Sequence, residues 1–274
     1  MQCKICKSRN TKLYKIVNTV PIFQCQECKL AFVDPSVSRK KTEHIYSFVE
    51  YKKREAQFVN RYQKTLQLVK RFSRGSNVLE IGAGFGLLSS ILSKNGYQVD
   101  VLEPDVTPYY LQGLPVKIYT QYFEEFVKKR VKKYDVIILY DILEHVSNPI
   151  VSIRNLLKLL NTNGIVIIQT PNYQSIMARL VHNWAWWMVE DHRYFFSKQS
   201  FSFLFNKKNW KQLLFSTYEE WPDFKKNLDG NFVNKMSKAL YFAWFIPFYF
   251  LLRNCMWRFG YGGLYLAIWR YNKQ

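Results

Sequence analysis

The chain has 274 residues, 48% of them hydrophobic, which suffices for one large domain with a sizeable core and a small appendage. Forty Lys and Arg against 20 Asp and Glu leave a net charge of +20. That balance favours an anionic partner (nucleic acid, an anionic membrane surface or a phosphate-bearing substrate), or simply a soluble basic surface. The opening "MQCKICKSRN" is polar and lacks the apolar centre of a secretory leader. The longest apolar run, Ala239 to Leu252, contains Pro247 and falls short of the roughly 20 residues a membrane span needs. A cytoplasmic location is expected, and with it cysteines that serve metal rather than disulfides.

Residues 1–35 carry four of the five cysteines. Cys3-x-x-Cys6 and Cys25-x-x-Cys28 have the pair spacing and the separation of a four-cysteine zinc ribbon. Two tight turns would converge four thiolates on one tetrahedral ion with no open position, a structural site. Cys255 is left over and is expected to pack as a small hydrophobe. Residues 36–75 are basic and aromatic, with Phe58, Tyr62, Leu66 and Val69 at helical spacing.

From Ser76 onward, short apolar strands alternate with helical stretches. "SNVLEIGAG" reads as a buried strand running into glycines, and "GLLSSILSKNG" as a helix closed at Gly96. "YQVDVLEPD" and "YDVIILYD" are further strands. "NPIVSIRNLLKLLNTNG" is a helix expected to stop at Gly164, and "IVIIQTPN" the next strand. This alternation predicts an α/β fold: a Rossmann-like, doubly wound, mostly parallel sheet with helices on both faces. Ligands in such sheets bind beyond the C-terminal strand ends.

The glycine loop is "LEIGAGFG", Glu80-x-Gly82-x-Gly84-x-Gly86. Its third glycine comes one residue early for a dinucleotide fingerprint, and an acid precedes the first. A pyrophosphate would not want Glu80 so close, which disfavours a nicotinamide dehydrogenase. A ligand with a cationic end would.

On these residues the chain resembles the class I S-adenosylmethionine-dependent methyltransferases. The likeness continues through "VDVLEPD", "YDVIILYDILEHVSNP", "LLKLLNTNGIVIIQTPN" and "HRYFFSKQSF". It is strongest to the branch with ubiquinone-type O-methyltransferases and enzymes of bacterial surface-glycan clusters, some of which carry a ribbon before the methyltransferase domain. The resemblance implies cofactor contacts from Glu80, Gly82, Gly84, Gly86, Glu103, Tyr46 and Asp141. Glu103 would take the ribose hydroxyls. The third-strand region lacks a clear Asp for adenine, and Gln121 or Tyr122 would substitute. "EHIYSFVEYKKREAQF" resembles the lid over the cofactor, with Tyr46 and Tyr51 at the methionine end; for Tyr51, a core stripe on a surface helix is the competing reading. The division implied is a ribbon over 1–35, a lid segment over 36–75 and a methyltransferase domain over 76–274, with acceptor-binding or membrane-surface insertions in 173–260.

For chemistry, His145 and His192 are the candidate bases for an acceptor hydroxyl. Glu144 is expected at a helix start, orienting His145. Asp141, Glu144 and His145 also match, with Asp for Glu, the spacing at which ubiquinone-type relatives can hold a divalent metal. Trp184, Trp186 and Trp187 read as a stacking platform, a membrane-interface belt or plain core. The apolar helix from Lys235 to Arg258, with cations at its ends, reads as a peripheral membrane-docking element on the inner face of the membrane, or as buried. The expected acceptor is a hydroxyl of a sugar or glycan, lipid-linked or not, or of another small molecule. An RNA methyltransferase and a non-catalytic scaffold are the rivals. No RNA-binding motif is recognisable, and the intact glycine loop speaks for retained cofactor binding.

Overall fold

The computed structural model describes residues 1–35, 37, 47–129, 132–229, 239, 243 and 246–272. Three N-terminal strands, β1 (Thr11–Val17), β2 (Val20–Cys25) and β3 (Ala31–Val33), form an antiparallel meander. Asn18 and Thr19 both take positive φ at the β1–β2 turn, the two-residue geometry that matches strand twist. Two helices follow, α1 (Phe48–Lys53) and α2 (Glu55–Phe72), the first closed by a capping box between Ser47 and Glu50.

The main sheet is built from β4 (Asn77–Ile81), β5 (Gln98–Leu102), β6 (Lys117–Tyr119), β7 (Tyr134–Tyr140), β8 (Leu160–Pro171), β10 (Trp210–Tyr218) and β11 (Leu264–Tyr271). Its order is β10-β11-β8-β7-β4-β5-β6. Five strands from β6 to β8 pair parallel, and β11 runs antiparallel to both its neighbours. Helices α3 (Leu87–Lys94), α4 (Phe123–Lys129) and α5 (Pro149–Leu159) connect the parallel strands.

Alternating strand residues feed two cores. Val136 and Ile138 pack with Leu66 and Val69 of α2 and with Leu88 and Leu92 of α3. Ile137 and Leu139 pack on the other face with Phe126 of α4 and Ile153 and Leu156 of α5. The sheet is therefore doubly wound, as the strand–helix alternation predicts. Each such side chain contributes about 1.5–3 kcal/mol on burial, so the strands are held by their pattern. The chain runs outward from β4 to β6 and then returns to β7, which opens a crevice beyond the ends of β4 and β7.

Two boundaries differ from expectation. Helix α5 ends at Leu159, and Leu160 is already extended (φ −88°, ψ 140°), pairing with Tyr134. Asn163, not Gly164, takes the left-handed conformation (φ 66°). Gly164 is needed for space instead, since a Cβ there would stand 2.9 Å from the Asn161 carbonyl oxygen. Cys255 is exposed on the C-terminal helix, Ile246–Arg258, rather than packed.

The ribbon shares structure with the rest of the chain. Strand β9 (Tyr194–Phe195) is the fourth strand of its sheet, Ala31 facing Phe195 and Phe32 facing Tyr194. Ser197 Oγ donates to the Cys28 carbonyl (3.3 Å) and Tyr173 Oη to that of Lys29 (2.6 Å). Cys28, Leu30 and Phe32 lie in one apolar core with Phe196 and Phe201, the latter on helix α6 (Lys198–Leu204). No helix among the described residues is long and apolar enough to cross a membrane.

Candidate active site

At the end of β4, Gly82 takes φ 73°, and a Cβ there would collide with the Ile142 side chain. Glycine is required at this position on both counts. Gly84 and Gly86 also have positive φ, and Gly86 caps α3. The Gly84 amide donates to Glu103 Oε2 (2.7 Å). The amides of Asp105 and Val106 hold Oε1 (3.0 and 3.2 Å). Glu103 is thus a buried acceptor fixed at the end of β5; burial raises its pKa and these amides oppose the rise. Tyr122 donates to Asp105 (2.9 Å) just beyond it.

Glu80 lies on β4, buried, and accepts from Ser89 Oγ on α3. Burial pushes its carboxyl up to about 8, against the Ser89 bonds and with a smaller push from Glu103. Tyr51 and Tyr62 stand close enough for Glu80 to act on their hydroxyls. Tyr51 stacks on Phe58 (4.5 Å) and meets the edge of Phe85 in the glycine loop (4.9 Å). Phe48 touches Phe85 and Tyr109 (5.1 and 4.7 Å). Helix α1 therefore lies as an aromatic cover against the glycine loop. Tyr46 lies outside the described residues.

The polar turn after β7 divides into two groups. Asp141 has φ 55°, an uncommon conformation for a non-glycine residue. Its carboxylate accepts from Gln169 Nε2 (3.1 and 2.9 Å), and Tyr218 in turn donates to Gln169 Oε1. Burial raises the Asp141 pKa, opposed chiefly by Arg61. Arg61 is paired with Glu220, and Arg54 with Asp223 (3.0 Å) of helix α7 (Trp221–Asp229). Sequence reasoning did not find Arg61, Gln169, Tyr218, Glu220 or Asp223. They come from five separate elements and loops and form no local motif.

Glu144 belongs to the second group. It is not at a helix start: it is fully buried in a turn, and α5 begins only at Pro149. Oε2 accepts from Thr170 (2.9 Å), while Oε1 has no partner among the described residues. Nor does Glu144 orient His145, whose Nδ1 faces the Asp191 carbonyl (3.2 Å). His192 is buried with Nδ1 facing the Trp186 carbonyl (3.0 Å). The two rings meet edge to face, centroids 4.8 Å apart. A carbonyl can only accept, so both Nδ1 atoms carry the proton and both Nε2 atoms keep a lone pair. His145 keeps an exposed edge, yet partial loss of hydration against Asp191 and His192 lowers its pKa, and full burial lowers that of His192 to about 3, so both are neutral near pH 7.

Donor atoms of Glu144, His145 and His192 lie within 4.8 Å of one another. The expected divalent set of Asp141, Glu144 and His145 is thus replaced: Asp141 stays with Gln169 and His192 takes its place. The unpartnered Glu144 Oε1 and two anchored neutral imidazoles fit a divalent cation.

The four ribbon cysteines converge likewise, Cys3 with Cys28 at 3.5 Å, Cys6 with Cys25 at 3.4 Å, all within 4.8 Å. A tetrahedral zinc with Zn–S bonds of about 2.3 Å sets sulfurs roughly 3.8 Å apart, so the set fits. The residue after each pair, Lys7 and Lys29, takes positive φ, and its amide reaches back to the first cysteine carbonyl (3.2 and 3.0 Å). Two matching turns thus aim four sulfurs at one point. Trp184 and Trp187 are buried in the core beside the ribbon, so they offer no stacking platform.

The profile of the methyltransferase domain family matches residues 48–213. Ubiquinone biosynthesis O-methyltransferase of Histophilus somni is 31% identical over 121 residues, 39% of this chain and 51% of that protein. Its namesake from Rickettsia canadensis is 37% identical over 101 residues, 35% and 42% of the two chains. The chain spans about half the length of these curated relatives. In structure, a SAM-dependent methyltransferase from Archaeoglobus fulgidus superposes with TM-score 0.55 at 15% identity, covering 83% of this chain and all of that one. The plantazolicin methyltransferase BamL, in complex with SAH, gives TM-score 0.54 at 15% identity, covering 82% and 89%. These likenesses establish the methyltransferase class of α/β fold. The chain belongs to the methyltransferase domain family.

Proposed function

We propose that the protein transfers the methyl group of S-adenosylmethionine to a hydroxyl oxygen, and that the acceptor is a sugar, a glycan or another small molecule. The observation that carries this reading is the pair of neutral, anchored imidazoles at the turn after β7, the turn whose Ile142 packs against Gly82 of the glycine loop. The curated relatives bear the name O-methyltransferase, which supports oxygen as the acceptor atom; the resemblance to surface-glycan enzymes supports the sugar.

The glycine loop and Glu103 hold the cofactor, Glu80 faces its cationic end, and Phe48 and Tyr51 cover it. The acceptor oxygen attacks the methyl carbon in line, the carbon–sulfur bond breaks and its electron pair stays on sulfur. His145 Nε2 takes the hydroxyl proton, and His192 packs against its ring and positions it. A divalent cation would be held by Glu144, His145 and His192 and would supply polarisation of the acceptor oxygen; His145 Nε2 would then be a ligand, so its role as base belongs to the metal-free protein. The ribbon cysteines hold a structural zinc.

Titration calorimetry with S-adenosylmethionine, then transfer of labelled methyl to fractionated cell material, tests the reading. Heat of binding and label in a glycan or small-molecule fraction are expected. No heat would favour a scaffold, and label in RNA would overturn the acceptor.

Glu103→Ala is expected to weaken cofactor binding roughly 10- to 100-fold, since a carboxylate's charged hydrogen bonds to the ribose are lost. An unchanged Kd would remove Glu103 from the site. Glu80 gives a pH signature. Held near 8 in the free protein, it is mostly protonated at pH 7, and a bound cation lowers its pKa. Binding near pH 7 therefore releases a proton, and affinity rises with pH until it levels off above about 8. Calorimetry in buffers of different ionisation enthalpy reads this release, and Glu80→Gln should reduce it.

A further inference from the structure

We infer that a cationic recess on the β10–β11 side of the molecule binds the phosphate group of an anionic lipid, docking the protein on a membrane surface. The recess, of about 230 Å³, lies outside the crevice described above, between the β10–β11 face and the end of the C-terminal helix. Three cations line it, Arg179, Lys198 and Arg258, and no acid does. None of the three is ion-paired among the described residues, whose salt bridges involve other groups. Aromatic faces hold two of them in place: the Arg179 guanidinium lies 5.5 Å from the Tyr261 ring centre and Lys198 Nζ 6.0 Å from that of Phe215. Three unpaired like charges around one recess repel each other, and an anion relieves this.

The apolar surroundings select the kind of anion. Phe248, Leu251, Cys255, Arg258 and Phe259 recur at helical spacing along one stripe, all exposed, Phe248 by 59%, Leu251 by 78% and Phe259 by 72%. Phe259 and Arg258 themselves line the recess, so the stripe ends where the cations begin. A soluble phosphate ester would use the charges and leave the stripe in water. A phosphate headgroup in a bilayer uses both, with hydrocarbon against Phe248 and Leu251 and phosphate oxygens against the cations. The inference is independent of the methyl-transfer reading.

The test is flotation of the full chain with vesicles of phosphatidylcholine, with and without phosphatidylglycerol. Binding is expected only to the anionic vesicles. R179Q/K198Q/R258Q should weaken partition roughly 100-fold at low salt, about fivefold per charge. K64Q/K70Q/K94Q, which removes three exposed charges elsewhere, should weaken it far less. F248S/L251S, with charge unchanged, should also lose binding. All variants are exposed-site changes, and circular dichroism checks their folding. Equal loss in the two charge variants would reduce the effect to net charge and overturn the recess. Binding of inorganic pyrophosphate without vesicle binding would overturn the lipid in favour of a soluble ester.

Discussion

Cys25→Ser is expected to release about one zinc per chain, to lower the unfolding temperature and to cut methyl transfer as well. Cys25 is fully buried, and its sulfur is one corner of the four-sulfur cluster. Without a cation the thiols compete for protons: the hydrogen bond with Cys28 draws Cys3 down to about 5, while burial pushes Cys6 up to about 11. Loss of a structural metal is among the few single changes worth roughly 4 kcal/mol or more, a fall of about 10 °C in Tm for a chain of this size.

The effect on transfer follows from the packing. The Val33 amide donates to the Arg193 carbonyl (3.1 Å), and the Arg193 amide to the Glu144 carbonyl (2.8 Å). The ribbon thus reaches His192 and Glu144 through two backbone bonds. A detached appendage could be lost without consequence for catalysis; this one supports the wall of the site. Elemental analysis, a melting curve and labelled-methyl transfer check the prediction. Undamaged protein with no zinc, or a variant with unchanged melting and transfer, would refute it.

The parts legible in the sequence are those encoded locally. The glycine loop, Glu103 and the cysteine pairs each occupy a few consecutive positions, and the structure places them where that spacing implies. Strand and helix alternation set the sheet because the central strands β4, β7 and β8 bury both faces. What escaped is the chemistry of long-range pairing. Glu144 reads as polar, and only the tertiary contact with Thr170 and the apolar surroundings explain a fully buried acid. His192 meets His145 because β9 pairs with β3, a contact across more than 160 residues that no local periodicity announces. Arg61 and Glu220 are 159 positions apart. A charged residue in an amphipathic helix is usually a solvated face, and here it is the buried half of an ion pair.

His145→Ala is expected to lower kcat by about 10²- to 10⁴-fold, the range of general-base contributions, while the Kd for S-adenosylmethionine stays unchanged. The pH profile separates a base from a packing residue. Partial loss of hydration lowers the pKa of His145 below its usual 6.5, so the neutral, proton-accepting form prevails at pH 7 and the rate falls only on acidification. That acid limb should vanish in His145→Ala. His192, with a pKa of about 3, does not titrate in the measured range and cannot supply the limb. His192→Asn should therefore lower kcat through misplacement of the neighbouring ring and leave the limb present. The same depressed values act on stability. Unfolded histidines bind protons near pH 6.5 while the folded ones do not, so stability falls as pH drops below about 6.5 and is unaffected by this pair above it. Loss of transfer from low-pH unfolding is distinguished from the catalytic limb by returning samples to pH 7.5: the catalytic limb reverses at once. An acid limb that persists in His145→Ala, or wild-type turnover in that variant, would mean another group takes the proton and would leave His145 a structural edge of the crevice.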